Sequence, residues 1–352
     1  LRNISYIMSI AGAFDVPYEA EYLHEFEALF NNTEKPILYS CPGAYEAERV
    51  LEMAGTIVGG MKDLRKRPFL TLYTETMSPL SFTEANENII EFAKAGVPVT
   101  NGPMPMCGAS GPMTLAGSAV IANAENLACI TLCQLVNPHT PVVYTCWTGI
   151  MDQRTGRFPY GAPEFSLGAS SFTSALSRYY KLPSYGFGGC TDSKTLDAQA
   201  GAEVMMNSLM SALTGVNLIH DCGYLAGGSV GSMEMAVICD EVSGMVLRIL
   251  KGIKVDHETL AVDVIKNVGP EGHFMSHKHT LKYLEKELYM PQLFDRSSES
   301  SWMKAGEREI GKAAQEKAFK ILKEHQPKPL DKDIQKKLTQ IVKDAEKHLT
   351  RR

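Results

Sequence analysis

The chain has 352 residues, of which 44% are apolar and 21% charged, and its formal net charge is −5 at pH 7. These values are typical of a soluble globular protein with a substantial core, and the length allows one large α/β barrel or two ordinary domains. The acidic balance argues against nucleic acid or an anionic membrane as the main partner. We see no apolar run of the roughly 18 residues that span a bilayer, so no membrane association is expected.

The cysteines indicate the cellular compartment, and the first residue concerns the N-terminal part of the fold. Eight cysteines are scattered through mostly apolar surroundings, without a Cys-x-x-Cys pair. In a chain of this length they indicate reduced thiols and a cytoplasmic location. The sequence begins at Leu1 rather than at a methionine, and we expect an N-terminal part of the fold to be missing.

Short apolar runs, each followed by glycine, proline or polar residues and then by a helical pattern, predict seven β-strands. The runs are ISYIMSI (4–10), PILYSC (36–41), FLTLYTE (69–75), VPVT (97–100), PVVYTCW (141–147), PSYGFGG (183–189) and VNLIHDC (216–222). Seven strand–helix units in series predict an α/β protein with a parallel sheet and favour a closed (β/α)8 TIM-type barrel. The eighth strand would lie either upstream of Leu1 or in the irregular stretch VGPEGHFMSHKHT (268–280).

Residues typical of helix ends occur at two places in the sequence. Ser81 and Glu84 have the spacing of a capping box before the helical run SFTEANENIIEFAKAGV. Gly215 stands where the C-cap of the preceding helix is expected. From about Lys282 the sequence becomes helical and charged. We therefore predict a barrel domain over residues 1–281 and a C-terminal helical extension over 282–352 that packs on the barrel.

In a barrel of this type, functional residues gather at the carboxyl ends of the strands. Glu75 and Asp192 are candidates there, because a carboxylate is costly in such a place unless it is hydrogen-bonded or used. Arg154 and Arg157 lie on a long loop after the fifth predicted strand, where they are either solvated or able to close over the barrel mouth.

A metal site is a weaker hypothesis. Cys190, His220 and Cys222 would lie on adjacent strands, but their spacing matches no known zinc-ligand pattern. We therefore expect no directly bound metal.

Four stretches resemble the trimethylamine methyltransferase superfamily, and they occur in the order of that family. They are SYGFGGCTDSKTLDAQAG (184–201), LMSALTGVNLIHDCGYLAGG (209–228), GHFMSHKHTLKYL (272–284) and LFDRSSESSWMKAG (293–306). The resemblance extends over essentially the whole chain. It implies a barrel enzyme that passes a methyl group from a methylated amine to the Co(I) corrinoid (cobalamin) of a separate small protein, and it also implies that residues are missing before Leu1.

Cys190 suggests the subclass within this resemblance. Archaeal trimethylamine enzymes of the superfamily carry pyrrolysine at the corresponding position, so the chain resembles the non-pyrrolysine members, similar to glycine betaine:corrinoid methyltransferases. A quaternary ammonium leaves as a neutral tertiary amine, and methyl transfer then needs orientation and exclusion of water but no general acid. The resemblance implies a role in methanogenesis or acetogenesis. We also expect a homo-oligomer.

The resemblance and the strand ends together suggest a set of site residues. We assign Glu75 and Asp192 as catalytic charge partners of the ammonium group, and we expect aromatic faces to contact it through cation–π interactions. The substrate-binding candidates are His220, Trp147, Tyr73, Phe187, Tyr224 and Asn101, with His220 and Asn101 as donors to a substrate carboxylate. The expected corrinoid-facing loop is Gly188, Gly189, Cys190 and Thr191.

Two other functions stay open from the sequence. One is a barrel lyase or hydrolase with a Cys/His metal site, for which stoichiometric zinc would be evidence. The other is a betaine- or corrinoid-binding protein without turnover, for which ligand-dependent thermal stabilisation without methyl transfer would be evidence.

Overall fold

The computed structural model describes residues 1–351 and alternates short strands with longer helices. The strands are β1 Ile37–Tyr39, β2 Leu70–Thr74, β3 Val99–Asn101, β4 Met106–Cys107, β5 Val142–Val143, β6 Gly149–Ile150, β7 Tyr185–Phe187, β8 Leu218–His220, β9 Tyr224–Leu225 and β10 Val230–Gly231. The helices are α1 Glu21–Asn32, α2 Gly43–Val58, α3 Met61–Lys66, α4 Asn88–Ala95, α5 Leu115–Val136, α6 Pro163–Tyr180, α7 Ala198–Thr214, α8 Met233–Leu250, α9 His257–Leu260, α10 Val262–Val268, α11 Lys278–Glu287, α12 Glu299–Lys304, α13 Ile310–Glu324 and α14 Lys332–Leu349. Short 3-10 helices, Tyr18–Ala20 and Glu84–Glu87, precede α1 and α4.

The main strands form a parallel series in chain order. β1, β2, β3 and β5 are neighbours in one sheet, and β7 pairs with β8. Single parallel bridges extend this series, one joining Ile7 to Ile37 and one joining Tyr144 to Ser184. The predicted α/β class and parallel pairing are confirmed, and each of the seven predicted strands has a counterpart, although the first is reduced to the bridge at Ile7.

The two faces of the series are buried by different partners. Outward-pointing residues such as Leu72 and Val99 join the core formed with α1, α2 and α4. Inward-pointing residues such as Tyr73 and Tyr185 join a separate cluster. Tyr73 and Tyr185 belong to strands that are not neighbours, yet their ring centroids are 5.9 Å apart. The sheet therefore curls around its inner face, and burial on both sides explains why the strands are nearly continuously apolar.

One predicted helix end is confirmed and another is wrong. Gly215 is the C-cap of α7, with a left-handed φ of 88°. The capping box at Ser81 and Glu84 is wrong, because Thr83 and Asn86 form the reciprocal pair. Ser81 is instead held in a turn by its bridge to Met77, so the helical backbone begins two residues later than expected.

The stretch over residues 268–280 does not supply an eighth strand. It consists of the last residue of α10, turns and irregular backbone, and the first turn of α11, and most of its residues are exposed. That alternative for the eighth strand is therefore wrong, because the segment lies outside the sheet.

Helix α5 differs from the sequence expectation. By length and composition it could cross a membrane. Its one charged residue, Glu125, is buried and accepts hydrogen bonds from the Ser78 hydroxyl at 2.8 Å and the Leu80 backbone N–H at 2.7 Å. These contacts tie α5 to the loop after β2, and 33% of its apolar window is buried.

The C-terminal helices contact the strand–helix region at two places. Residues of α13, including Ala314, share a core with α8. Residues of α14, including Leu338 and Val342, share the core of α1 and α2. The division of the chain at residue 281 stays a prediction.

Candidate active site

An aromatic cluster lies at the carboxyl ends of the strands. The His220 ring, at the end of β8, stacks on Trp147 with centroids 4.8 Å apart and on Tyr185 with centroids 4.5 Å apart. Tyr73 of β2 and Phe187 of β7 lie within 6.1 and 5.6 Å of the same imidazole. The structure thus brings together four of the predicted substrate-binding residues, Tyr73, Trp147, Phe187 and His220.

A glycine allows these rings to approach one another. A Cβ at Gly102, just after β3, would lie 2.7 Å from the Tyr73 ring and 3.0 Å from Trp147. Because real Cβ contacts are not that short, any side chain at residue 102 would push the two rings away. The two rings can therefore pack at this distance only because residue 102 has no side chain.

Glu75 lies beside this cluster, and the space between its carboxylate and the rings is called the recess below. The Tyr73 hydroxyl donates a hydrogen bond to its Oε1. Glu75 remains exposed to water, yet desolvation by the surrounding protein raises the pKa of its carboxyl, and the Tyr73 hydrogen bond only partly offsets that rise. The carboxylate is therefore both accessible to water and partly desolvated by the surrounding protein.

Asp221 is a second carboxylate of the site, and it was missed as a site residue from the sequence. Its Oδ1 lies 2.6 Å from His220 Nδ1, and its backbone has a left-handed φ of 67°, which non-glycine residues rarely adopt. Burial, with the Asp221 charge as a further cause, raises the pKa of seven surrounding groups, namely Tyr6, Tyr73, Glu75, Tyr160, Tyr185, Cys190 and Tyr224. Asp221 therefore lies at the electrostatic centre of the cluster.

The ring nitrogens of His220 form no hydrogen bond within the protein. Nδ1 lies close to the Asp221 carboxylate but forms no hydrogen bond with it, and Nε2 has no hydrogen-bond partner either. The hydroxyls of Tyr6 and Tyr185 are also buried, and they lie next to each other without any further hydrogen-bond partner. Buried polar atoms are nearly always satisfied in folded proteins, so these atoms lie where another molecule or segment is expected.

The Asp192 carboxylate accepts hydrogen bonds from the protein backbone. Its two carboxylate oxygens accept the backbone N–H groups of Tyr160 at 3.0 Å and Gly161 at 2.8 Å. Burial raises the pKa of this carboxyl, and the two backbone hydrogen bonds oppose that rise. This arrangement positions Tyr160 next to Phe187, with ring centroids 5.5 Å apart. Its catalytic role stays a prediction, and its contacts favour positioning the loop.

The segment 188–191 is buried along its whole length. A Cβ at Gly188 would lie 2.3 Å from the Ile219 side chain, and one at Gly189 would lie 2.3 Å from the Cys222 backbone. The glycines thus permit close packing on β8. Cys190 and Thr191 are fully buried, and Thr191 donates a hydrogen bond to Glu203. A corrinoid-facing role stays a prediction that their burial does not favour.

Asn101 and Tyr224, two further predicted substrate-binding residues, make contacts within the protein. Asn101 is buried, and its Oδ1 accepts the Thr76 backbone N–H at 3.0 Å. The Tyr224 hydroxyl donates to the Ser9 carbonyl at 2.6 Å, while its ring packs against the inner cluster. Asn101 is therefore held away from the recess, whereas the Tyr224 ring stays part of its wall.

The arginines of the long loop are exposed. Arg154 pairs with Asp152 at 2.8 Å, and the backbones of Asp152 and Arg157 bridge to form a tight turn. Neither arginine forms an ion pair with Glu75 or Asp221. Their positions favour the solvated alternative.

The geometry gives no support to the Cys190–His220–Cys222 zinc hypothesis. Within residues 1–351, no group of three or more His, Cys, Asp and Glu side chains is arranged to hold a metal ion. Burial also raises the pKa of the Cys190 thiol far above its ordinary value, which disfavours the thiolate that zinc binds.

Sequence reasoning missed Tyr6, Tyr160 and Tyr185 as well as Asp221. Tyr185 was detectable, because it shares a strand face with Phe187 two residues later. Tyr6 could be inferred only if the first predicted strand faced the same interior. Tyr160 had no local signal, since only the Asp192 contacts bring its loop to the cluster.

A parallel α/β sheet with an acidic, aromatic recess at its carboxyl ends defines a small-molecule site suited to a cation. The trimethylamine methyltransferase (MTTB) family matches residues 5–349, and the chain belongs to this family. The family resemblance seen in the sequence is thereby confirmed.

Similar curated proteins agree with the family match. Trimethylamine methyltransferase MttB of Desulfitobacterium hafniense strain DCB-2 is 38% identical over 333 residues, covering 94% of this chain and 67% of the relative. Glycine betaine methyltransferase of D. hafniense strain Y51 is 37% identical over 330 residues, covering 93% of this chain and 68% of the relative. MttB of Methanosarcina barkeri is 36% identical over 349 residues, covering 98% and 70%.

Proposed function

We propose that this protein transfers a methyl group from a quaternary amine, such as glycine betaine or a similar betaine, to the corrinoid of a partner protein. Its family and the printed names of its relatives, one a glycine betaine methyltransferase, support methyl transfer from an amine. The finer assignment rests on the chemistry of the recess.

The observation that carries the proposal is the pair of carboxylates among aromatic rings. Within residues 1–351, neither Glu75 nor Asp221 forms an ion pair with a lysine or arginine, and the basic group beside them is the imidazole of His220. Two acidic groups in a partly desolvated place need a positive charge. The ring faces of Tyr73 and Trp147 supply cation–π attraction, about 0.5–2 kcal/mol per contact. A methylated ammonium group satisfies both requirements.

The reaction balances without a proton. The methyl carbon leaves nitrogen without its bonding electron pair, the pair stays on nitrogen, and the product is a neutral tertiary amine. When bound, the corrinoid supplies the nucleophile that accepts the methyl group. The residues of this chain bind the ammonium, orient its C–N bond and exclude water, effects that are worth up to about 7–11 kcal/mol when the geometry is favourable.

The carboxylates act on binding more than on rate. The positive charge on nitrogen is largest in the bound substrate and disappears as the C–N bond breaks. Glu75 and Asp221 therefore stabilise the substrate more than the transition state, which lowers KM without raising kcat. They also favour release of the neutral amine. We propose Glu75 as a substrate-binding charge partner and Asp192 as a residue that positions Tyr160.

Exposed apolar side chains on the loops after β2 and β4 are more accessible to a partner than the buried segment 188–191 is. Met77, Leu80 and Phe82, on the loop after β2, are exposed, and so is Met113 after β4. Exposed apolar side chains at the mouth of a site are typical of docking surfaces, and methionines adapt to irregular partners. We propose that these residues, rather than Gly188–Thr191, would contact the corrinoid and its carrier.

The proposal also covers the fold, the location and the oligomeric state. We propose that the seven parallel strands are part of a closed (β/α)8 barrel with a C-terminal helical extension from residue 282. We also propose a cytoplasmic homo-oligomer without a directly bound metal.

The test is a methyl-transfer assay with Co(I) cobalamin, which follows methylcobalamin by absorbance. The panel contains glycine betaine, proline betaine, carnitine, γ-butyrobetaine and trimethylamine. We expect methylcobalamin with at least one quaternary amine, and an Asp221→Asn variant with a raised KM. Absence of product with every amine, although an amine binds and raises Tm, would show a binding protein without turnover and would refute the proposal.

A further inference from the structure

A cavity of about 380 Å³ adjoins the aromatic cluster. Most of its lining side chains are apolar. Among the polar ones, Tyr6 and His220 are also members or neighbours of the aromatic cluster, and Asp221 lies beside them. Apolar walls with a few convergent polar groups are typical of a site for a small molecule. The polar part of this wall is therefore available to a ligand that also reaches the recess.

Two tyrosine hydroxyls meet at this wall. The rings of Tyr6 and Tyr185 have centroids 6.4 Å apart, and their hydroxyls lie next to each other. Both hydroxyls are buried, and the described part of the protein offers them no further hydrogen-bond partner. Each phenol has one O–H donor, so two phenols that pair with each other use only one of their two hydrogens. One O–H group is therefore left without an acceptor.

The remaining hydrogen belongs to Tyr6. Tyr185 is fully buried and stacks on His220, whereas Tyr6 lines the cavity. The Tyr185 hydroxyl therefore donates to Tyr6, and the Tyr6 hydroxyl donates into the cavity. Burial raises the pKa of both phenols, with the charge of Asp221 as a further cause. Both hydroxyls thus keep their protons and act as donors.

The wall asks for two opposite features in a ligand. The Tyr6 O–H needs an acceptor, and the Asp221 carboxylate beside it attracts a positive charge. A simple cation offers no acceptor, and a simple anion is repelled by Asp221. A zwitterion that carries an ammonium and a carboxylate a few bonds apart meets both demands. A hydrogen bond from a hydroxyl to a carboxylate is charge-assisted and stronger than one between neutral groups.

We propose that the Tyr6 hydroxyl binds the carboxylate of a zwitterionic substrate, and that Tyr185 is the positioning residue behind it. This assignment rests on the proposed function and narrows its substrate class to betaines, in preference to quaternary amines without a carboxylate. Within the described residues, neither lysine nor arginine lines the cavity. A neutral donor holds the carboxylate without repelling the ammonium group of the same molecule. Attachment at both ends fixes the direction of the C–N bond.

The first test compares two ligands on Tyr6→Phe, which keeps the ring and removes only the hydroxyl. Isothermal titration calorimetry gives Kd for glycine betaine and for tetramethylammonium, which has no carboxylate. We expect the Kd of glycine betaine to rise about tenfold or more and that of tetramethylammonium to change less than about twofold, because only the betaine loses a hydrogen bond to a charged group. Tyr179→Phe, at a 77% exposed tyrosine of α6, is the matched control and should change neither Kd.

The second test separates direct binding from positioning. Tyr185→Phe leaves the Tyr6 hydroxyl in place but removes the donor that polarises and orients it. We expect the Kd of glycine betaine to rise by about two- to fivefold in this variant, less than in Tyr6→Phe. The double variant should match Tyr6→Phe within about twofold, because Tyr185 acts only through Tyr6. Additive losses would show that Tyr185 does not act through Tyr6, and would overturn its assignment.

The outcomes distinguish this subsite from the rest of the site. The proposal fails if Tyr6→Phe weakens both ligands equally, since the hydroxyl would then support the packing of the whole site, and it fails if neither Kd changes. It also fails if the unmodified chain binds tetramethylammonium but not glycine betaine, a result that would leave the cation site intact. Absence of binding by both ligands would refute the cation site as well. No measurement here uses methyl transfer, so failure of the proposed activity is a separate outcome.

Discussion

The Glu75 carboxylate offers the sharpest test of the recess as a cation site. Glu75→Gln keeps an acceptor for the Tyr73 hydroxyl and nearly the same volume, but it removes the negative charge. The ring packing of Tyr73 on Trp147, with centroids 6.2 Å apart, should persist. A change in affinity can then be attributed to charge.

The expected magnitude follows from Coulomb's law. Opposite unit charges about 5 Å apart attract by about 3 kcal/mol at an effective dielectric constant of about 20. Glu75 is open to water, and solvent screening reduces this to about 1–2 kcal/mol. The Kd for a quaternary ammonium should therefore rise by about 5- to 30-fold.

Trp147 supplies the assay. It is one of two tryptophans and is 2% exposed, so its fluorescence reports the interior of the cluster. In a Trp302→Phe background, titration with tetramethylammonium or glycine betaine gives Kd directly. Glu84→Gln, at an exposed carboxylate outside the recess, is the matched control. An unchanged Kd in Glu75→Gln, alongside clear binding by the unmodified chain, would refute the role of Glu75 as charge partner.

Three further predictions concern stability. Burial raises the pKa of Glu75, so the folded protein favours the protonated carboxyl. The free energy of unfolding therefore falls as pH rises from the ordinary pKa of a glutamate through the pKa of Glu75 in the folded protein. Glu75→Gln should therefore raise Tm at pH 8 but not near pH 4, and an equal gain at both pH values would contradict this sign. Gly189→Ala should cost about 1–3 kcal/mol or more in denaturant unfolding, because its Cβ would lie 2.3 Å from the Cys222 backbone. Gly201→Ala, which meets nothing within 4 Å in α7, should be neutral or stabilising, and equal losses in both would be inconsistent with the clash. Asp192→Ala should cost about 1–3 kcal/mol and speed amide exchange at Tyr160 and Gly161, whereas unchanged exchange would argue against the positioning role.

The strands and most helices could be predicted because their signals are local. Apolar runs bounded by glycine and proline gave the order of β1, β2, β3, β5, β7 and β8, and Gly215 marked a helix end. The capping box was misplaced by two residues because the turn from Met77 to Ser81 competes with helix formation, and such tertiary contacts have no sequence period.

The site was only partly predictable for the same reason. Trp147, Tyr73, Phe187 and His220 converge because they end strands of one curled sheet. Asp192 also ends a strand region, but the N–H groups that occupy it come from a loop some thirty residues earlier in the chain. Asp221 follows His220 directly, and its importance depends on an unusual backbone angle that residue type alone does not reveal.

The burial of the cysteines has a chemical consequence for a protein that handles activated methyl groups. Seven of the eight thiols are buried; burial raises the pKa of Cys146, the neighbour of Trp147, to about 12 and that of Cys190 higher still. The thiolate, not the thiol, is the sulfur nucleophile. A neutral, enclosed sulfur does not compete for the methyl group, so the catalyst is protected from self-alkylation over many turnovers.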